Sequence, residues 1–483
     1  MANTHDHGEI ELKFELDGRA VKRVRRHTFL SNADHSTQSE STVYFDTGDS
    51  EVRHAGYSLR VREAGGCFIQ TVKTDGVSAG LFDRGEWEAP VNQMAPDPRA
   101  LRRTPLRKLK KLGRKVKPVV CSEVKRRTWL VDRNDSIVEI VLDSGMINAG
   151  DQRVPLHELE LELRCGEPAS IFELAKELGQ AAPIQVGVLS KYERGLMLAE
   201  GAFDHEQKAS ASEVCKNMAV GQAFETIVRG CIRQFRLNEA LIIAERDPGA
   251  LHQARVAIRR LRTAFSLFRP AVRQGSLAPL REELHAFIGP FGEARNLDVF
   301  LESHEDELGR GDRRKLKSAR AEAYDQVIGR LETQQTRDML LDLVEWTASG
   351  DWRKHAASRP IGPFAAERLD KAWKTVRRKG KGLSDDEERQ LHRLRIRIKK
   401  LRYTVAFLAP LYDRKRVRNF ASSLEKMQDC LGLIHDDMIN RQIVSDYELG
   451  EVGRTDITKR SGQLKTMAKR FSRLKSVPCF WAN

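Results

Sequence analysis

The spacing of apolar residues changes once along this chain of 483 residues, near residue 205. Before that point, apolar and polar residues alternate in short runs such as EIELKF at 9–14 and HELELELR at 157–164, which is the period of β-strands. After it, apolar residues recur at helical spacing nearly to the end, and Pro and Gly become less frequent. We therefore predict two domains, a strand-rich one over 5–202 and an all-α one over 213–476.

Charge is divided just as unevenly as the apolar pattern. The first 200 residues carry 30 Lys or Arg and 30 Asp or Glu, so the whole net charge of +15 lies in residues 201–483. This imbalance indicates a polyanionic partner for the helical part. No apolar run is long enough to cross a membrane, and no basic start precedes an apolar stretch, so we expect neither a membrane span nor a secretory signal. Seven Cys without a CxxC pair favour reduced thiols in the cytoplasm.

The helical part contains an internal repeat. LHQARVAIRRLRTAFSLFRP at 251–270 aligns with LHRLRIRIKKLRYTVAFLAP at 391–410, with seven identical positions at an offset of 140 residues. The same offset, without a gap, aligns Gly292 with Gly432. The pattern predicts a duplicated helical unit with a pseudo-twofold arrangement.

Charged residues in the strand-rich part are sorted by strand and by face. Because side chains alternate along a strand, the acidic and basic residues share one face, with carboxylates mainly on the first and last strands and Arg and Lys between them. A charged face in water is the simplest interpretation of any one strand. If the sheet closes into a barrel, however, both signs point into one lumen, which could hold divalent cations on carboxylates and phosphate on Arg and Lys.

The strand motifs resemble, in their order, those of the CYTH superfamily, the triphosphate tunnel metalloenzymes. The resemblance covers about residues 5–200 and rests chiefly on Glu9-x-Glu11-x-Lys13, Leu59-Arg60-Val61-Arg62, Thr71-Val72-Lys73, Arg84-x-Glu86, Arg126, Leu142-Asp143, Glu158-x-Glu160-x-Glu162 and Ser190-Lys191. It implies an α+β multidomain protein whose first domain is an eight-stranded antiparallel tunnel. It also implies cleavage of triphosphate-bearing substrates with Mg²⁺ or Mn²⁺.

The resemblance further implies roles for individual residues. It implies catalytic roles for Glu9, Glu11 and Lys13. The implied metal ligands are Glu9, Glu11, Asp143, Glu160 and Glu162, and the implied phosphate-holding residues are Arg60, Arg62, Lys73, Arg84, Arg126 and Lys191. Arg127 is an alternative to Arg126, because a slip of one residue reverses the face. Glu88, Glu139 and Glu158 have the right parity, but parity alone does not place them at a metal.

Two basic rows occupy equivalent positions in the helical repeat. The rows, each spaced i, i+3, i+7 and i+10 on one helix face, are His252, Arg255, Arg259 and Arg262, and His392, Arg395, Lys399 and Arg402. Like charges at this spacing repel one another, and an extended anion would relieve the repulsion. The alternatives are a solvated basic face and a zinc site at His252 and His392, although no nearby Cys or second His gives metal spacing.

This second pattern resembles the CHAD domain over about residues 215–475. The matching blocks are Leu251-His252-x-x-Arg255, Leu391-His392-x-x-Arg395, Gly292-x-x-Arg295-Asn296-x-Asp298 and Gly432-x-x-His435-Asp436. The resemblance implies two pseudo-symmetric four-helix bundles that bind inorganic polyphosphate.

The two domains together resemble bacterial inorganic triphosphatases of CYTH–CHAD make-up. We therefore expect metal-dependent hydrolysis of inorganic triphosphate, or of short polyphosphate, in the cytoplasm, with association with polyphosphate granules. One alternative is a polyphosphate-binding protein that docks on granules without turnover, and another is a CYTH hydrolase of thiamine triphosphate. We expect no nucleic-acid partner, because no helix-turn-helix, zinc finger or aromatic RNA-binding motif is present.

Overall fold

The computed structural model of the chain divides into two compact units. The described residues are 11–74, 76, 79–82, 85–109, 112, 115–272, 277–356, 359–380, 388–450, 452 and 457–482. The first unit contains residues 1–207 and also 332–349, and the second contains 208–331 and 350–483. The predicted domain boundaries, 5–202 and 213–476, place residues 332–349 in the helical domain, whereas these residues belong to the strand-rich unit.

One antiparallel sheet dominates the first unit. Its strands within the described residues are β1 Glu11–Glu15, β2 His35–Asp46, β3 Tyr57–Ala64, β4 Cys67–Thr74, β5 Leu81–Phe82, β6 Glu86–Val91, β7 Lys117–Arg133, β8 Ser136–Ala149, β9 Gln152–Cys165 and β10 Gln185–Val186. The prediction of a large antiparallel sheet is confirmed, but the sheet has ten strands instead of eight. Two of them, β5 and β10, have only two residues each.

The sheet returns to its own beginning. Its strand order is β10-β1-β9-β8-β7-β2-β3-β4-β6, and β5 pairs with β1. In that pairing Glu11 lies opposite Phe82, and β6, the last strand of the order, begins at Glu86. Both ends of the sheet therefore approach β1, so the sheet encloses one of its two faces.

Tight two-residue turns join the central strands and fix their register. The β3–β4 turn uses Gly65 and Gly66, with φ of 59° and 82°. The β7–β8 turn uses Asn134 and Asp135, with φ of 51° and 58°. Hairpin turns of this kind require positive φ at both central residues, which Gly, Asn and Asp tolerate best.

Helices surround the sheet and form the second unit. Their bounds are α1 Gly18–Arg25, α2 Thr28–Ser31, α3 Glu51–His54, α4 Pro98–Leu101, α5 Ala169–Ala181, α6 Lys191–Ala199, α7 Val220–Glu245, α8 Pro248–Phe268, α9 Leu277–Phe287, α10 Gly289–His304, α11 Arg310–Leu331, α12 Gln334–Ser349, α13 Trp352–Ala356, α14 Ile361–Lys379, α15 Glu388–Leu408, α16 Arg414–Asp446 and α17 Ile457–Ser476. Helices α1 to α6 and α12 belong to the first unit, and the others form the second. None of the described helices has the length and apolar character that a membrane crossing needs.

The helix bounds of the second unit follow the sequence repeat. Helices α8 and α15 have 21 residues each and begin 140 positions apart. Helix α7 corresponds in the same way to α14, α11 to α17, and the pair α9 and α10 to the single long helix α16. The all-α prediction for this part is confirmed.

Buried aromatic residues join the two repeats of the second unit. The Phe268 ring lies 5.2 Å, between centroids, from the Phe224 ring and also 5.2 Å from the Phe364 ring. All three side chains are fully buried, and Phe224 and Phe364 occupy equivalent positions of the repeat. Burial of these rings contributes hydrophobic stabilisation between the repeats.

Candidate active site and cation cluster

The enclosed face of the sheet carries the predicted charged residues of β1, β7, β8 and β9. In the strand register, Lys13 lies opposite Glu160, Asp143 opposite Glu158, and Arg126 opposite Asp143. Residues directly opposite in an antiparallel pair point to the same face. The alternation of charged and apolar residues in these strands therefore brings these side chains together.

Three carboxylates form the acidic centre of this face. Each of Asp143, Glu158 and Glu160 offers an oxygen, and these oxygens lie within 4.8 Å of one another. Asp143 and Glu158 are fully buried, and Glu160 is partly buried. Carboxylate oxygens are the ligands that hard divalent cations such as Mg²⁺ and Mn²⁺ prefer, so the donor set fits such an ion.

Two lysines approach the same carboxylates from different elements. The Lys13 Nζ lies 3.0 Å from a Glu158 oxygen, 2.5 Å from a Glu160 oxygen and 3.6 Å from a Glu11 oxygen. The Lys191 Nζ, at the start of α6, lies 3.0 Å from an Asp143 oxygen and 3.2 Å from a Glu160 oxygen, and it also pairs with Glu158. The site therefore alternates positive and negative groups instead of segregating them.

Helix α6 can deliver Lys191 to the sheet because its start is capped and its body lies close to β7. The Ser190 hydroxyl accepts a hydrogen bond from the Glu193 backbone, and the Glu193 carboxylate accepts one from the Ser190 backbone. A Cβ at Gly195 would lie 2.2 Å from a Val120 methyl group, so only Gly permits this approach without a shift of neighbouring atoms.

Burial and neighbouring charges shift the pKa values of these groups in different directions. Burial raises the pKa of Glu158, and the attraction of Lys13 and Lys191 offsets this only in part. Burial acts in the same direction on Glu160, but Lys13, Lys191 and Arg126 outweigh it and hold the pKa of Glu160 well below its usual range. Glu160 is therefore the firmly ionised member of the pair.

Lys13 and Lys191 stay protonated, because the neighbouring carboxylates favour the charged form of their ammonium groups. Burial alone would lower the pKa of Lys13, but Glu158 and Glu160 outweigh it and raise that pKa. The pKa of Lys191 is likewise raised well above its usual value by Glu158, Glu160 and Asp143 against the effect of burial. Both ammonium groups can therefore hold phosphate oxygens at neutral pH.

A second charged group lies on β3, β4 and β6. The Lys73 Nζ lies 2.7 Å from a Glu86 oxygen, and an Arg60 nitrogen lies 3.5 Å from the other Glu86 oxygen. The buried Arg60 Nε has no hydrogen-bond acceptor among the described residues. Arg62 lies opposite Thr42 in the register and two residues from Arg60 along β3, so it points to the same face as Arg60. This group offers donors to an anion on the same enclosed face.

The structure separates several of the predicted residues from the acidic centre. Glu162 forms an ion pair with Arg164, whose guanidinium also contacts Glu139. Arg126 faces the interior, whereas the Arg127 guanidinium lies 5.8 Å from the centroid of the Trp129 ring. Glu9 and Arg84 lie outside the described residues.

Two interior carboxylates were not among the predicted site residues. Glu158 has the expected parity, but only the register between β8 and β9 shows that it contacts Lys13 and Lys191. Glu40 on β2 is buried, and one of its oxygens lies 3.4 Å from Arg126 Nε. Glu40 has the same parity along β2 as Tyr44, and this was the sequence signal that could have placed it on the face of the site residues.

The second unit brings part of both basic rows into one cation cluster. We use this name for Arg255, Arg259, Arg295, Arg395 and Lys399. Their charges act on one another: Arg259, Arg295 and Arg395 act on Arg255, and Arg395, Arg259 and Arg255 act on Lys399. Helices α8 and α10 of one repeat and α15 of the other supply the cluster.

Mutual repulsion in the cation cluster makes protonation costly. Burial and the charges of Arg395 and Arg259 lower the pKa of Lys399 to about 7. Burial and Arg295 lower the pKa of His252 to about 4, and burial with Arg395 lowers that of His435 to about 4. The two histidines are therefore neutral at pH 7, whereas Lys399 is at its midpoint.

Unpaired donors accompany this repulsion. The buried Nε atoms of Arg259 and Arg395 have no hydrogen-bond acceptor in the part of the chain that the structure describes. Asp436 interacts with Arg395 and Lys399, and Asp298 is held by Arg320 and Tyr324 at 2.7 and 2.9 Å. The acids of this region therefore offset only part of the positive charge.

Four of the eight predicted basic-row residues are not members of the cation cluster. His252 lies beside it, because the cluster charges act on its ring, and the other three lie at its margin or outside it. Arg262 is exposed and interacts with Arg281. The Arg402 guanidinium lies 5.6 Å from the Tyr403 ring centroid. His392 is exposed, and its ring lies 5.5 Å from that of His435. Arg295 is not a member of the predicted basic rows, because it lies on a different helix.

The sequence matches two known domain families. The CYTH domain matches residues 7–196, and the CHAD domain matches residues 226–445. The inorganic triphosphatase of Haemophilus influenzae is 27% identical over 199 residues, which cover 40% of this chain and 56% of the relative. The matched region thus spans about half the length of that relative.

Two solved structures align with parts of the chain at lower sequence identity. The CHAD domain of the plant Ricinus communis is 20% identical, with 57% of this chain and 94% of that chain covered and a TM-score of 0.47. HpAC1 from Hippeastrum, described as having a dominant triphosphatase activity, is 19% identical, with 40% and 96% covered and a TM-score of 0.32.

The antiparallel sheet with its enclosed acidic and basic residues, together with the family match, defines the first part of the chain as a CYTH domain. The duplicated helical unit that follows it is a CHAD domain. In this chain a CYTH domain is therefore followed by a CHAD domain.

Proposed function

We propose that the CYTH domain hydrolyses inorganic triphosphate, or the ends of short polyphosphates, with a divalent metal, and that the CHAD domain binds polyphosphate. The observation that carries the enzymatic part is the contact of Asp143, Glu158 and Glu160 with Lys13, Lys191 and Arg126 on one enclosed face. Pure anion binding would need the cations but not the buried carboxylates.

The carboxylates are the candidate holders of the metal. Asp143, Glu158 and Glu160 would bind Mg²⁺ or Mn²⁺. Glu11, which has one oxygen 3.6 Å from Lys13 Nζ, stays a predicted ligand. Glu9 and Glu162 stay predicted ligands, the first outside the described residues and the second paired with Arg164. When bound, a divalent ion would neutralise phosphate charge and polarise the attacked phosphorus.

The basic residues are the candidate holders of the substrate. Lys13, Lys191 and Arg126 would exchange part of their carboxylate contacts for phosphate oxygens, and Arg60 and Lys73 would hold the more distant phosphates. Arg62 and Arg84 stay predicted members of this set. Water then adds to a terminal phosphorus and one P–O–P bond breaks, which yields orthophosphate and pyrophosphate.

A phosphate-release assay tests the enzymatic proposal. Triphosphate, thiamine triphosphate, ATP and long polyphosphate would each be offered with Mg²⁺, with Mn²⁺ and with EDTA. We expect metal-dependent release that is fastest with triphosphate and is reduced about a hundredfold or more by Glu160→Gln. Release that persists in EDTA, or that is unchanged in Glu160→Gln, would exclude the proposed chemistry.

Binding without turnover is the second candidate function. It is favoured by one observation: all three carboxylates of the acidic centre already form ion pairs with Lys or Arg, which occupies oxygens that a metal would need. Such a tunnel would bind polyphosphate by exchanging ion pairs, and the protein would dock on polyphosphate granules in the cytoplasm. Tight triphosphate binding with no phosphate release would identify this function.

The polyphosphate part of the proposal rests on the cation cluster. It draws its members from both repeats, and it leaves the buried Nε atoms of Arg259 and Arg395 without acceptors among the described residues. A chain of regularly spaced phosphates would supply acceptors to several of these groups at once. Competition between polyphosphate and RNA for the protein measures whether the site distinguishes the two polyanions.

A further inference from the structure

Helix α12 completes the CYTH unit, although its sequence lies between the two repeats of the CHAD domain. The chain leaves the second unit after Leu331 and returns to it at Gly350. Helix α12 lies against α5 and against strand β10 of the first unit. Its buried residues are Thr336, Met339, Leu340, Leu341, Leu343, Val344, Trp346 and Thr347. The enclosed sheet therefore has a neighbour that its own sequence range does not supply.

Two ion pairs fix α12 on α5. The Lys176 Nζ lies 2.8 Å from an Asp342 oxygen and 2.7 Å from a Glu345 oxygen. Burial alone would lower the pKa of Lys176, but its hydrogen bonds to Asp342 and Glu345 raise it. One lysine thus holds two successive turns of the helix.

Helix α12 lies close to Gly80, whose carbonyl accepts a hydrogen bond from the Lys13 backbone. A Cβ placed on Gly80 would lie 2.5 Å from a Val186 methyl carbon and 3.8 Å from a Val344 methyl carbon, so Val344 approaches the point where Gly80 and Val186 meet. The Lys13 N–H donates to the Gly80 carbonyl at 2.8 Å, and the Gly187 N–H donates to the Lys13 carbonyl at 2.8 Å.

The placement of Lys13 matters because its side chain reaches the acidic centre. Its Nζ contacts Glu158 and Glu160 at 3.0 and 2.5 Å. A displacement of about 1 Å in a group that holds reacting partners is enough to reduce a rate by a large factor. A displacement of Gly80 or β10 would therefore move Lys13 and so change its contacts with Glu158 and Glu160.

We propose that α12 positions Lys13 by holding Gly80 and β10 against β1. Lys176, Glu345 and Val344 are then positioning residues for the tunnel, although they lie outside it. The inference rests on the proposed hydrolysis of triphosphate, whose rate it makes dependent on a segment of the CHAD sequence.

The test uses the full chain and a reversal of charge on α5. In Lys176→Glu three acids would face one another, and we expect kcat/KM for triphosphate to fall about fivefold, the order of effect that the loss of ion pairs of this exposure produces. Lys176→Glu/Glu345→Lys restores an opposite pair and should return the rate to near the wild-type value. The matched control is Arg133→Glu, which breaks the ion pair of Arg133 with Glu177 on the same helix and should leave the rate unchanged.

Hydrogen–deuterium exchange provides a second readout, which does not depend on activity. Amides of 11–15 and 185–187 should exchange faster in Lys176→Glu and in Val344→Ala, and at the wild-type rate in Arg133→Glu. Val344→Ala decides the question if Lys176→Glu does not fold. If the wild-type chain releases no phosphate, the proposed hydrolysis fails, and exchange alone tests the positioning. Wild-type exchange rates at these amides in both variants would overturn the inference.

Discussion

Arg126 holds Asp143 with both ends of its guanidinium: Nε donates to Oδ1 at 2.9 Å and Nη2 donates to Oδ2 at 2.6 Å. Asp143 is fully buried, so this fork and Lys191 compensate a charge that burial would otherwise neutralise. Burial raises the pKa of Asp143, but Lys191 and Arg126 outweigh it and lower that pKa overall. The arrangement keeps one oxygen donor of the acidic centre ionised and fixed in direction.

Arg126→Lys tests the fork, since Lys keeps the charge but cannot donate two parallel hydrogen bonds. We expect the rate of phosphate release to fall about tenfold, the factor that corresponds to the loss of one charge-assisted hydrogen bond. Arg127→Lys is the matched control, because the Arg127 guanidinium lies beside Trp129 on the opposite face. Equal losses in the two variants would contradict the interior role of Arg126.

The lowered pKa of Asp143 also predicts a dependence of stability on pH. A carboxyl whose pKa is lower in the folded state stabilises the fold above its unfolded-state pKa, and this contribution is lost as the pH falls through the folded-state pKa. Asp143→Asn should therefore make the chain less stable at pH 7, with a difference from wild type that shrinks in acid. Urea unfolding at pH 7 and at several pH values below about 4, the range in which an Asp carboxyl protonates, measures this; a difference that stays constant down to about pH 2 would contradict it.

Glu158 and Glu160 offer a matched pair of isosteric variants. The pKa of Glu158 is raised and that of Glu160 is lowered. Glu158→Gln therefore resembles the protonated form towards which Glu158 is already shifted. Glu160→Gln instead removes the negative charge of a carboxylate that stays ionised. We expect Glu160→Gln to reduce phosphate release about a hundredfold or more, and Glu158→Gln to reduce it less, because transition-state electrostatics depends on fixed charge. A larger loss in Glu158→Gln would reverse the assignment of the ionised ligand.

Strand parity predicted which face of each strand carries the site residues, but it did not predict all the contacts between strands. Parity predicted that Lys13, Arg60 and Glu160 would share faces with their neighbours along each strand. It could not decide between Arg126 and Arg127 or show that Glu158 contacts two lysines, because the register between strands depends on turns and on the packing of the whole sheet. The strands β5 and β10 are too short to show any period.

The helical part shows the same division between local and long-range information. The repeat predicted the matching helices α8 and α15, because a helix face is encoded within one segment. It did not predict that Arg295 on α10 joins the cation cluster or that α12 belongs to the first unit. An amphipathic pattern shows that a helix buries one face, but it does not identify the surface that covers this face.

The packing of Phe268 between Phe224 and Phe364 predicts a large effect on stability. Phe268→Ala should lower the free energy of unfolding by about 3–5 kcal/mol, the range for removal of a buried Phe. Leu433→Ala serves as the control, because Leu433 is 59% exposed and its loss should change little. Denaturant unfolding followed by far-ultraviolet circular dichroism measures both variants, and similar effects would contradict the role of these rings in joining the repeats.

The pKa of about 7 for Lys399 predicts that polyphosphate binding depends on pH. Below pH 7 the ammonium is charged and attracts the polyanion, whereas above it the free protein has lost this charge, so affinity should fall between pH 6 and pH 8.5. Lys399→Arg keeps the charge over this range, so its affinity should change much less with pH. Arg393→Ala is the control on the same helix, because Arg393 is exposed and lies on the face opposite Arg395 and Lys399. Titration with polyphosphate at constant ionic strength measures these affinities, and equal pH dependence in wild type and Lys399→Arg would remove Lys399 from the binding site.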